Sequence, residues 1–189
     1  MLVDTCLGPR EMDEKPYWHL VPAVGAYAMT FYNNVMVGKG ALSSVSAWIE
    51  ADPAIANAQT GYSAHRSNDP KEVIFEQIRQ QEYSGLPSRI GKTIYLFDDY
   101  SLAQRAQTEW FANAPKIVHE CRVIKGAILH RADATWLNCP QQDWASCARN
   151  YWSGRMSNTP FPEIVVHGAI YFPEHKTFPS LASFLPKPQ

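Results

Sequence analysis

The chain has 189 residues, which suits one domain, or one domain with a sizeable insertion. Apolar residues make up 46% and aromatic residues 12%, enough for a packed core. The formal net charge of −1 comes without acidic or basic blocks. That argues against a general nucleic-acid binder, yet leaves room for a nucleic-acid substrate held by a few local Arg and Lys.

Residues 1–15 are polar and irregular and read as a flexible N-terminal arm. Tyr17-Trp18-His19-Leu20-Val21 predicts a first strand, stopped by Pro22. Residues 23–62 are rich in Ala, Ser, Gly and Asn, and about 23–66 read as a variable helical segment. Leu42, Val45, Trp48 and Ile49 have helical spacing over 41–58, with Pro53 breaking the helix or opening a second one. Asp69-Pro70-Lys71-Glu72 opens a helix over 70–82, because it offers an N-cap, a proline at the first position and an acid in the first turn. A loop at 85–89 leads to a strand over 93–97, and Asp98-Asp99-Tyr100-Ser101 caps an amphipathic helix over 101–112. Residues 116–124 alternate as a strand, with 127–131 as a hairpin partner across Lys125-Gly126. A helix over 141–153 is followed by a long strand over 163–172 and a proline-rich, extended tail. Strands mixed with a few helices, without regular βαβ alternation, place the chain in the α+β class. The expected organisation is the arm followed by a single domain over 16–189.

No stretch approaches the roughly 18 apolar residues of a membrane-spanning helix. The start, Met1-Leu2-Val3-Asp4-Thr5-Cys6, lacks the basic-then-apolar order of a Sec signal. The expectation is therefore no membrane partner, and a cytoplasmic location or delivery to a target cell by another route. Cys6, Cys121, Cys139 and Cys147 are widely spaced and fit free thiols.

Chemistry concentrates in three places. Glu163 follows the turn Pro160-Phe161-Pro162 and precedes the apolar run Ile164-Val165-Val166. A carboxylate at the mouth of a core strand is held stiffly, and can orient a ribose hydroxyl or stabilise a cationic transition state. The plain alternative is an exposed strand-end glutamate. Ser88 and Arg89 stand in a loop entering a strand on which Tyr95 and Phe97 share a face. Such a group could stack a flat ring and hold polar parts of a ligand, or be an ordinary loop and core strand. His19 sits among Tyr17, Trp18 and Leu20, either as a rim residue or as a partner for a ribose hydroxyl or a carboxamide. His119-Glu120-Cys121 lacks a third ligand nearby and Cys139 and Cys147 lack zinc spacing, so no metal is expected.

Taken in order, Tyr17-Trp18-His19, Pro87-Ser88-Arg89 with Tyr95-Leu96-Phe97, and Glu163-Ile164-Val165-Val166 resemble the ADP-ribosyltransferase superfamily. Phe75–Phe97, Tyr151-Trp152-Ser153-Gly154 and Pro162–Val166 look most like small bacterial members of that superfamily that have no assigned function. The resemblance covers about residues 80–172. It implies a split pair of small mixed or antiparallel sheets with flanking helices, gripping NAD as substrate. His19 would take the first-strand position, Ser88 and Arg89 the middle one, and Tyr95 or Phe97 would pack on the nicotinamide. Glu163 would be the catalytic acid at the ribose 2′-hydroxyl. His rather than Arg on the first strand, together with Ser in the middle motif, fits neither major subclass. Phe161 stands where protein-arginine modifiers have a second acid or Gln, which argues against arginine as the acceptor.

The expected activity is NAD-dependent mono-ADP-ribosyl transfer to a protein or nucleic-acid acceptor, as in a toxin or effector with a cognate inhibitor or antitoxin. Segment 23–66 is the expected acceptor-recognition element. Two alternatives stand beside it. One is an NAD-dependent RNA 2′-phosphotransferase, for which only Arg79, Arg89 and Lys92 lie near the middle motif. The other is a non-catalytic nucleotide- or protein-binding module on the same fold.

Overall fold

The computed structural model describes residues 1–184. In chain order the elements are β1 (Leu2–Thr5), β2 (Gly8–Glu11), β3 (Tyr17–Pro22), α1 (Ala26–Val37), β4 (Ala41–Ser43), α2 (Val45–Ala51) and α3 (Gly61–Arg66). There follow α4 (Pro70–Glu82), β5 (Ile94–Leu96), α5 (Tyr100–Trp110), β6 (Lys116–Val123), β7 (Ile128–Asp133), α6 (Trp144–Trp152), β8 (Pro162–His167) and β9 (Ala169–Tyr171). The α+β class is as expected, and the pairs β1–β2, β3–β6, β5–β8, β6–β9 and β7–β8 are antiparallel. No helix among the described residues is long and apolar enough to cross a membrane.

The chain divides into two compact units with interleaved segments, where the sequence alone reads as one domain after residue 15. The first unit takes Met1–Leu42, Asp99–Lys125 and the segment from Ala169 onward. Its main sheet has the order β3-β6-β9-β4. The first residues form a hairpin rather than an irregular arm. Val3 and Thr5 turn inward, the Thr5 hydroxyl donates to the Gly8 carbonyl at 2.8 Å, and the terminal amine donates to the Met12 carbonyl at 3.0 Å. Helix α1 buries Ala28, Phe31, Tyr32 and Val35, an apolar stripe at helical spacing.

The second unit takes Ser43–Asp98 and Gly126–Gly168. Its sheet has the order β5-β8-β7. Segment 127–131 is thus not the hairpin partner of β6. Both edges of β6 are occupied, by β3 and β9, and β7 pairs with β8 instead. The long strand expected over 163–172 is broken at Gly168, whose φ of 132° disfavours any other residue. A Cβ there would meet Ala127 Cβ at 2.6 Å. The break sends β8 and β9 to different sheets. Segment 41–58 divides at Pro53, as expected: Ser44 caps α2, accepting from Ala47 N at 3.1 Å, and Pro53 opens a 3₁₀ turn capped by Asp52. Helix α4 matches its expectation, with the Asp69 carboxylate accepting from Lys71 N at 3.0 Å. The tail expected to be extended contains 3₁₀ turns at His175–Thr177 and Leu181–Phe184, and its last part, 185–189, lies outside the described residues.

One face of the second sheet is covered by α4 and α6. Phe75 and Ile78 from α4, and Cys147, Ala148, Tyr151 and Trp152 from α6, pack on Ala132 and Val165. Fully burying a side chain the size of Phe75 contributes about 1.5–3 kcal/mol. The Trp152 indole is not left wanting a partner, since its Nε1 donates to the Phe75 carbonyl at 2.7 Å.

Candidate functional site

The register of the second sheet fixes what shares its covered face. Tyr95 and His130 lie opposite Val165 on either side, and Ala132 lies opposite Glu163. Directly paired residues point the same way, so Glu163, Tyr95 and His130 all project towards α4 and α6. The carboxylate expected at an open strand mouth is therefore enclosed, with Glu163 only 3% exposed. Arg89, from the loop before β5, reaches the same place and is 5% exposed.

All five N–H donors of Arg89 are used. Its Nε donates to Glu72 Oε2 at 3.2 Å. Its Nη1 donates to Tyr151 Oη at 2.8 Å and to Glu163 Oε1. Its Nη2 donates to Tyr62 Oη at 2.6 Å and to Glu72 Oε1 at 3.4 Å. Each tyrosine then passes a proton donor on to a carboxylate. Tyr151 Oη donates to Glu163 Oε1 at 2.7 Å and Tyr62 Oη to Glu72 Oε1 at 2.6 Å. The guanidinium carbon lies 5.4, 5.5 and 5.1 Å from the ring centres of Tyr62, Tyr95 and Tyr151, within cation–π range. Tyr95 Oη donates to the Arg89 carbonyl at 2.6 Å, so the loop is held at its backbone as well.

Burial works against the Arg89 charge, but Tyr151, Glu163 and the other tyrosines hold its pKa well above the ordinary value. Burial pushes the Tyr62, Tyr95 and Tyr151 hydroxyls up, so they remain neutral donors. The cluster thus sets one buried cation against two buried carboxylates, Glu72 and Glu163. One oxygen of Glu163 takes both bonds; the other, Oε2, accepts none from the described residues and is not sealed from solvent.

The remaining residues singled out from sequence fall elsewhere. Ser88 spends its hydroxyl on Glu76 Oε2 at 2.7 Å. Burial raises the Glu76 pKa, but bonds from Arg79, Ser88 and Gln80 outweigh it and hold that carboxyl below its ordinary value. Arg79 also donates to the Leu86 carbonyl at 2.8 Å, strapping the loop to α4. Phe97 is buried with its ring 6.3 Å from that of Phe161. His19 belongs to the first unit, opposite His119 on β6, with its ring 5.8 Å from Phe31 and 6.3 Å from Phe172. The structure therefore brings Arg89, Tyr95 and Glu163 together and places His19 in the other unit.

Sequence alone gives Glu72, Tyr62 and Tyr151 no place in the site, although Glu72 lies in a helix start and Tyr151 opens Tyr151-Trp152-Ser153-Gly154. Glu72 left a signal nonetheless. It stands three residues before Phe75 and six before Ile78, on the apolar stripe of α4, where a carboxylate requires a buried partner. Tyr151 reads as one more core aromatic of α6, and nothing in its neighbourhood in sequence marks its hydroxyl. No curated protein matches the sequence. The model of the family described as "Protein of unknown function (DUF2441)" matches residues 34–176, and the chain belongs to that family.

Proposed function

We propose that the chain is an NAD-dependent mono-ADP-ribosyltransferase with Glu163 as its catalytic residue. The observation that supports this most is the state of the Glu163 carboxylate. One oxygen is fixed by Arg89 and Tyr151, and the other accepts no bond from the described residues. In the proposed reaction that second oxygen accepts from the ribose 2′-hydroxyl of NAD. The bond between ribose C1′ and the nicotinamide nitrogen breaks, its electron pair leaves with nicotinamide, and positive charge develops on the ribose. The acceptor then bonds C1′ and releases its proton to solvent. A cluster with one more carboxylate than cations favours that developing charge, the more so in a site shielded from water. Arg89 and Tyr151 act as positioning residues, holding Glu163 in one rotamer.

A second reading is favoured by the burial of Glu163 and its ion pair with Arg89: the cluster is structural and the domain non-catalytic. The phosphotransferase alternative fares worse. Of the basic residues that could meet a phosphate, Arg79 is spent on Glu76, Arg89 on its cluster, and Lys92 Nζ on the Ala56 carbonyl at 2.9 Å. Incubation with NAD labelled in the adenylate, alone and with a cell lysate divided into protein and nucleic-acid fractions, tests the first reading. Label transferred to either fraction, with nicotinamide released in step, is the expected result. Neither release nor transfer, together with no calorimetric binding of NAD or ADP-ribose, would favour the structural reading.

A further inference from the structure

We infer that α3 is a latch over the Arg89–Glu163 cluster, with the Tyr62 hydroxyl standing where a ligand hydroxyl binds once the latch lifts. The inference rests on the NAD reading for what enters, but not for the opening itself. Glu72, Arg89 and Glu163 are all buried. A substrate as large as a dinucleotide therefore meets Glu163 only after some element of the second unit moves.

Which element moves follows from what each one buries. Helices α4 and α6 carry Phe75, Ile78, Cys147, Ala148, Tyr151 and Trp152 into the core, and displacing either would expose it. Helix α3 is different. It buries only Ser63, and α2 before it buries no residue. A helix of six residues has little stability of its own. What holds α3 down is mostly polar. Ser63 Oγ donates to the Ile90 carbonyl at 2.9 Å, and Tyr62 Oη is bonded to Arg89 and Glu72. The chain leading to α3 is tied by Lys92 Nζ, which donates to the Ala56 carbonyl at 2.9 Å. Segments with few buried apolar contacts open locally at far less cost than the core does. Both ends of the moving piece are fixed. Ser44 is buried, its N–H donates to the Gly168 carbonyl at 2.6 Å and its Oγ accepts from Gly168 N at 3.1 Å. Asp69 on the other side caps α4.

The Tyr62 hydroxyl gives the latch its chemistry. It accepts from Arg89 Nη2 at 2.6 Å and donates to Glu72 Oε1 at 2.6 Å. A sugar hydroxyl can make the same two bonds, one accepted and one donated. Lifting α3 leaves the rest of the cluster standing. Arg89 keeps Glu72 through Nε, and Tyr151 and Glu163 through Nη1. What it frees is one Nη2 hydrogen and one lone pair of Glu72 Oε1, already spaced for a hydroxyl. The ligand thus exchanges its own hydroxyl for that of Tyr62, and no buried charge is left without a partner in either state.

The test follows hydrogen exchange by NMR in the intact chain labelled with ¹⁵N. The reporters are the Ala64 and Ser67 amides, which donate to the Thr60 and Ser63 carbonyls, and the Arg89 Nη2 hydrogens that Tyr62 covers. Corrected for intrinsic rates, all should exchange roughly 100-fold or more faster than the Phe75 and Ile78 amides of α4. Tyr62→Phe, which removes both hydroxyl bonds, should speed the reporters together. It should also tighten NAD binding several-fold, because the open form is then more populated. Ala64 and Ser67 amides as slow as those of α4 would overturn the inference. So would fast amides beside Arg89 Nη2 hydrogens that stay slow, since α3 would then fray without uncovering the cluster. Fast exchange of all reporters in a chain that binds no NAD, with or without the Tyr62 hydroxyl, would bear out the opening and count against the NAD reading alone.

Discussion

Two polar clusters, one buried and one half-buried, solve the same problem in opposite ways. In the second unit, the Arg89 guanidinium is paired with the Glu72 and Glu163 carboxyls and with tyrosine hydroxyls. In the first unit, His19 and His119 face each other across β3 and β6 among Phe31, Phe172 and Phe178. There burial pushes His119 down to about 4, and its Nε2 lies 2.9 Å from Tyr32 Oη. The first solution is costly to assemble and fails badly when one member is removed. The second costs less, because the imidazole gives up its charge instead of pairing it. An imbalanced charged cluster is therefore the more informative of the two: a fold that needed only stability would be served as well by apolar residues of the same volume.

The sharpest way to break that comparison is to remove the cation. Arg89→Met leaves Glu72 and Glu163 buried together without a counter-charge, and should cost about 3–5 kcal/mol in a urea unfolding experiment. Glu163→Gln should cost much less, about 1–2 kcal/mol, because Arg89 and Glu72 remain as a one-to-one pair and the amide oxygen still accepts. Equal losses would show that the charge count does not govern the cluster. Tyr151→Phe removes a donor to Glu163 and an acceptor for Arg89. It should cost about 1–3 kcal/mol, and should lower any NAD turnover through kcat rather than KM.

The smallest effect concerns the first unit. The folded-state pKa of His119, about 4, lies below the ordinary 6.5, so the unfolded chain takes up the proton first as pH falls. The stability that His119 contributes is complete above pH 6.5 and is lost between there and about 4. Amide exchange in β3 and β6 should quicken over that interval, and His119→Gln should flatten the response. The sign is the same for Asp133, whose carboxyl is raised by burial yet held below its ordinary value by the Phe161, Ser157 and Thr135 bonds. Its contribution is full above the ordinary carboxylate range and is lost only in more acidic solution, which keeps the two effects apart.

Local signals in the sequence were legible where a short-range rule acts alone. Asp69-Pro70 opens α4 and Asp99 caps α5 because both obey capping chemistry within a few residues. The stripe Ala28, Phe31, Tyr32, Val35 also has helical spacing, but the exposed apolar neighbours Tyr27, Met29, Met36 and Val37 blur its period. What pattern could not supply was the partition of strands between sheets. It rests on Gly168 breaking an apolar run that looks continuous, and on both edges of β6 being taken by distant segments. The site shows the same division. Arg89 and Glu163 lie on recognisable motifs 74 positions apart, whereas Tyr62 and Glu72 join them only through the docking of α3 and α4.

In the proposed reaction Glu163, fixed through one oxygen by Arg89 and Tyr151, catalyses cleavage of the bond between ribose and nicotinamide. Nicotinamide release from NAD should be compared for the parent chain and Glu163→Gln, each shown folded at the assay temperature by a cooperative unfolding transition. A loss of roughly 100-fold or more is expected, with little change in NAD binding, since the carboxylate acts mainly on the transition state. An unchanged rate in the folded variant would contradict it.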